Sequence, residues 1–83
     1  MSVSPEDRAM SVSLRRLVAK SNLDISQLNI SFSRGTCELI GTVRAPKGHE
    51  GMQVRKEFQT LIAQIRNVRG VRDVFGERVR IFD

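Results

Sequence analysis

The chain has 83 residues, room for one domain and no more. Hydrophobic residues make up 40% and charged residues 28%, an ordinary globular balance and not a disordered one. Fourteen Lys and Arg against nine Asp and Glu leave a net charge of +5, which favours nucleic acid, anionic lipid headgroups or an acidic protein without choosing among them. The basic residues are spread along the chain, so they form no basic arm. One Cys allows no intrachain disulfide, and the residues offer no four-ligand metal set. A domain of this size buries only about 60% of its unfolded surface, so its core is thin. A partner or a second copy of the chain would add to it. There is no apolar signal segment and no run of apolar residues long enough to span a membrane. As it stands the chain reads as cytoplasmic; as a piece of a longer secreted protein it would be periplasmic or envelope-associated.

Ser4-Pro5-Glu6-Asp7 predicts a helix start: Ser4 caps, Pro5 suits the first helical position, and the two acids meet the positive helix end. Met10, Leu14, Leu17, Val18 and Ser21 then share one helical face, with Arg8, Arg15, Arg16 and Lys20 on the others. With Asn22 as a stop, the first helix is expected at about residues 5–21. Leu28, Ile30 and Phe32 alternate with polar residues, which predicts a half-buried strand over 27–33. Arg34-Gly35 reads as a tight turn, and Cys37, Leu39, Gly41 and Val43 mark a second strand over 36–43. So short a connection makes the pair an antiparallel hairpin.

Pro46, Gly48 and Gly51 predict a loop. Val54, Phe58, Leu61, Ile62 and Ile65 follow the spacing of an amphipathic helix, expected at 51–68, with Arg55, Gln59 and Arg66 together on one flank. Gly70 is expected to cap that helix. Val71, Val74, Val79 and Ile81 mark a last strand region over 72–82, interrupted near Gly76. The sum is a single α+β domain over residues 1–83, of order α-β-β-α-β, with two helices packed on one face of a three-stranded sheet. Its expected core holds Met10, Leu14, Leu17, Ile30, Phe32, Leu39, Val54, Phe58, Leu61, Ile65, Val71, Val74 and Ile81.

The run Leu28-x-Ile30-x-Phe32-x-x-Gly35-x-Cys37-x-Leu39-x-Gly41-x-Val43, followed by Gly70-Val71-x-x-Val74, resembles the BON family, a bacterial module named after an osmotic-shock protein and nodulation proteins. The resemblance spans roughly residues 8 to 82. It implies a non-enzymatic binding module directed at phospholipid membranes or other envelope components. Two departures stand out: the last strand arrives one residue late after Val74, which implies a bulge near Gly76, and the loop at 44–51 is longer and richer in Gly. The motif residues Gly35, Gly41, Gly70, Val71 and Val74 read as fold determinants. Gly35 makes the turn. Gly41, on the side of Leu39 and Val43, is expected to let a helix approach closely.

Three sets of residues are candidates for chemistry. Cys37 belongs to an apolar series and His49 to a loop, so no nucleophile pair, metal site or cofactor is implied, and an enzyme is not expected. Gly48-His49-Glu50-Gly51 matches the Gly-x-x-Gly loop of K-homology domains, but here it joins a strand to a helix. Its plain reading is a connection; its sharper one is an anion site beside Lys47 and the amides of the second helix. The third set is Arg8 and Arg15 on one helix and Arg55 and Arg66 on the other. If those flanks are adjacent they form one patch, and with Lys47 they are the candidate residues for binding an anionic lipid surface. The plain reading is solvated helix surface.

The expected partner is an anionic lipid surface or a protein. The alternatives are a protein-protein adaptor and a small basic nucleic-acid-binding domain. The open sheet face is read as Asn29, Ser31, Glu38, Ile40, Thr42 and Arg80, polar and poor for base stacking, and of the aromatics only Phe75 and Phe82 are placed to be exposed, so only weak nonspecific nucleic-acid binding is expected.

Overall fold

The structure is a computed structural model that describes residues 5–82. The expected Ser4 cap lies outside the described residues. Five elements follow in the order helix, strand, strand, helix, strand: α1 (Pro5–Ala19), β1 (Asp24–Ser33), β2 (Thr36–Arg44), α2 (Val54–Arg66) and β3 (Asp73–Phe82). The sheet order is β1-β2-β3; β1 pairs with β2 antiparallel, and β2 with β3 parallel. The α+β class and the α-β-β-α-β order are as the periodicities predict.

Helix α1 begins at Pro5 with Glu6 and Asp7 in its first turn. It stops two residues short of the expected end. There the chain tightens, with Lys20 N–H donating to Leu17 O (3.2 Å) and Ser21 N–H to Val18 O (3.0 Å). Leu23 then turns inward and is buried.

Strand β1 starts three residues earlier than expected, because its first residues do not alternate. Asp24 pairs with Arg44 but Gln27 with Thr42, so β1 carries one extra residue there. The Asp24 carboxylate closes this bulge by accepting the Ser26 N–H at 3.0 Å. The hairpin turn is a two-residue loop with both residues at positive φ, Arg34 at 52° and Gly35 at 84°. That conformation matches the twist of the flanking strands. The Gly35 carbonyl also accepts Arg72 N–H (2.7 Å) and Asp73 N–H (3.2 Å), so the hairpin tip anchors the start of β3.

Helix α2 is shorter than expected at both ends. Residues 46–53 are taken up by turns instead: His49 N–H donates to Pro46 O and Met52 N–H to His49 O. At its other end Asn67 is the C-cap. Gly70 therefore does not cap the helix, which ends before it. It sits where a Cβ would come 2.6 Å from the Met10 methyl of α1, so its missing side chain serves the packing of α1. Gly41 is corrected in the same way. The atoms a Cβ there would meet belong to Gln27 and Leu28 of β1, and no helix atom is among them. In β3, Phe75 pairs with Glu38 and Arg78 with Ile40, so the extra residue lies at Gly76-Glu77, as expected.

The core is a single layer between the helices and one sheet face. Leu14 and Val18 of α1 and Val54, Phe58, Leu61 and Ile65 of α2 meet Phe32, Cys37, Leu39, Val43 and Val74 of the sheet. Met10, Leu17, Ile30, Val71 and Ile81, expected inside, are half-buried at its rim. Two helices cannot cover the full width of three strands, so side chains at the margins keep contact with water. No helix among the described residues is long and apolar enough to cross a membrane.

Candidate functional site

Helical spacing brings Arg55, Gln59 and Arg66 within about 40° of one another on α2. In the fold that flank faces edge strand β3, and the three residues line one open groove of about 440 Å³. Phe58, Ile62 and Ile81 line the same groove. The bulge glycine makes this approach close: a Cβ at Gly76 would lie 3.3 Å from Ile62 Cδ1 and from Phe58 Cζ. Glu77, on the bulge, adds one carboxylate to the lining. The result is an apolar floor lined by two arginines whose backbone positions lie about 16 Å apart along the helix.

The other sequence candidates do not join this groove. Arg15 lines a separate cleft with Val18 of α1 and Ile25, Leu28 and Ile30 of β1. Strands β1 and β3 are the two edges of the sheet. The flanks carrying Arg15 and Arg55/Arg66 therefore face opposite edges, and the single patch weighed from the sequence is not formed. Arg8 and Lys47 are exposed and line neither cleft. In the Gly48–Gly51 loop, the Gly48 N–H donates to Glu50 Oε1 (3.3 Å) and the His49 and Met52 amides to backbone carbonyls. Those three donors are used within the loop.

Cys37 and His49 lie beyond opposite ends of the run Glu38–Arg44. Cys37 is wholly buried, and burial pushes its thiol up to about 11, so at neutral pH it is a small apolar side chain. His49 is exposed in the loop.

The sheet face away from the helices is open. The register sorts it into five rows across β1, β2 and β3: Ser33, Thr36, Asp73; Ser31, Glu38, Phe75; Asn29, Ile40, Arg78; Gln27, Thr42, Arg80; Asp24, Arg44, Phe82. Ile40, Phe75 and Phe82 are 39%, 43% and 52% exposed, three of the four exposed large hydrophobic residues among those described. At one end the Arg44 guanidinium lies over the Phe82 ring, 5.6 Å from its centroid, and Arg44 Nη2 donates to Gln27 Oε1 at 3.5 Å. The Ser26 N–H and hydroxyl hold the Asp24 carboxyl below its usual range, and Arg44 adds to this. Asn29, Ser31, Glu38, Ile40, Thr42 and Arg80 lie here as read from the sequence, and so do Phe75 and Phe82, the two aromatics that could be exposed; Arg44 and Arg78 are additions. Strict alternation from Val74, shifted by one at Gly76, would have placed Arg78 as well.

No protein-family model, no curated protein and no solved structure matches this chain.

Proposed function

We propose that this chain is a non-enzymatic, BON-like docking module that binds an anionic phospholipid surface through the flank formed by α2 and β3. The observation that carries the reading is the convergence of Arg55 and Arg66 on one groove with an apolar floor. Phosphate headgroups match the guanidinium pair, which spans a surface rather than one small anion. The half-buried Ile62 and Ile81 beside them offer apolar contact to the acyl boundary. The net charge of +5 draws the protein towards such a surface at low ionic strength.

Co-flotation with vesicles tests this, comparing phosphatidylglycerol-containing with purely phosphatidylcholine membranes. The reading requires binding to the first, little to the second, and loss of binding with salt. A protein that ignores anionic vesicles at low salt overturns it. Equal, equally salt-sensitive binding to nucleic acid would reduce it to nonspecific charge attraction.

A further inference from the structure

We infer that the open sheet face is a self-complementary surface on which a second copy of this chain docks, the two sheets stacking face to face about a two-fold axis across the strands at Ile40. Three features favour this occupant. First, three large hydrophobic residues stand exposed among the polar residues of the face: Ile40 at its centre and Phe75 and Phe82 towards its two ends. Such residues gathered on one side of a small domain mark an interface.

Second, charge on the face is segregated. Glu38 and Asp73 occupy the two rows on one side of Ile40, whereas Arg80 and Arg44 occupy the two rows on the other. A two-fold axis along the row of Asn29, Ile40 and Arg78 exchanges these halves. The acidic half of each copy then faces the basic half of the other, and Ile40 meets Ile40. Phe75 comes opposite Arg80 of the second copy, a cation–π pairing like the one Arg44 and Phe82 already make within the chain. Asp24, the one acid at the basic end, comes opposite Ser33, whose hydroxyl can donate to it. Arg78 falls on the axis row but on an edge strand, where its long side chain reaches water past the rim. A polyanion is the poorer fit, because Glu38 and Asp73 would repel it over half the face.

Third, the size of the face sets the strength. Five rows of three strands cover roughly 400 Å² per copy at ordinary strand and residue spacing. A stable interface buries about 800 Å² per partner. The dimer is therefore weak, reversible and sensitive to salt. None of its residues lines the α2/β3 groove, so dimerisation and vesicle binding fail independently.

Sedimentation of the whole chain over a range of concentrations is the test, with circular dichroism to check that each variant is folded. Wild type should run as a monomer–dimer equilibrium that shifts to monomer as salt rises. Glu38→Arg and Arg80→Glu should each weaken self-association by at least about tenfold, since like charges then face each other. An equimolar mixture of these two folded variants should dimerise again, because each reversed charge meets its opposite. A wild type that stays monomeric at the highest attainable concentration overturns the proposal. So does a dimer that Glu38→Arg and Arg80→Glu leave intact, or a mixture that does not re-associate. A monomer that instead binds a single-stranded oligonucleotide, and loses it on Phe75→Ala with Phe82→Ala, would give the face to nucleic acid and also overturn it.

Discussion

A side chain on Gly41 would run into the Gln27 carbonyl of the neighbouring strand, and its Cβ would also stand 3.2 Å from the Leu28 Cα. Gly41 adopts φ 129°, a conformation that L side chains rarely take, and it pairs with Leu28 where β1 recovers its register after the bulge. The first prediction follows. Even Gly41→Ala, which adds a single methyl, should cost about 1–3 kcal/mol through strain and backbone displacement. The midpoint of urea unfolding reads this, and an unchanged midpoint would show that β1 moves aside freely.

Leu39 and Ile40 are neighbours in β2 with opposite fates, 0% and 39% exposed. Leu39→Ala opens a cavity in the core and should cost about 2–5 kcal/mol. In a domain with so thin a core that is enough to leave part of the population unfolded. Ile40→Ala should change the stability of the monomer by about 0.5 kcal/mol or less. Comparable losses for the two would mean that the open face is covered.

The buried Cys37 thiol, raised from its ordinary 9.0 to about 11, links stability to alkaline pH. Between those values the unfolded chain has released a proton that the native protein still holds. The unfolded state then binds fewer protons, so stability falls as pH rises. This contribution is whole below about pH 9 and disappears through pH 11. Cys37→Ala should lack that component, which urea midpoints at a series of alkaline pH values will show. The native wild type should also react slowly with a thiol reagent, at a rate set by opening of the core.

Arg55 and Arg66 are exposed, and replacing both by Gln should alter unfolding free energy by about 1 kcal/mol or less. Each cation near an anionic membrane contributes about 1 kcal/mol, so the double variant should bind vesicles roughly tenfold to thirtyfold more weakly. Arg8→Gln with Arg15→Gln should do less, because the α1/β1 cleft that Arg15 lines lies at the opposite edge of the sheet. Equal loss for the two double variants would mean that charge is read without regard to position.

Local pattern determined most of the architecture. Alternation at Leu28-Ile30-Phe32 and Cys37-Leu39-Val43, the 3.6-residue spacing of Val54-Phe58-Leu61-Ile65, and the Arg34-Gly35 turn each state one element. Two amphipathic helices with a single apolar sheet face leave few ways to assemble. The flank shared by Arg55, Gln59 and Arg66 was legible too, because it depends only on helix geometry. Tertiary structure decided what depends on register. The extra residue at Asp24–Gln27 is a property of the strand pair that no local pattern announced, whereas the one at Gly76-Glu77 was legible as a break in the alternation. Only the packing of α1 over β1 and of α2 over β3 separated Arg15 from Arg55 and Arg66. Pairing across strands likewise gathered Glu38 with Asp73, and Arg44 with Arg80, at opposite ends of one face, because charges distant in sequence become neighbours only when strands align.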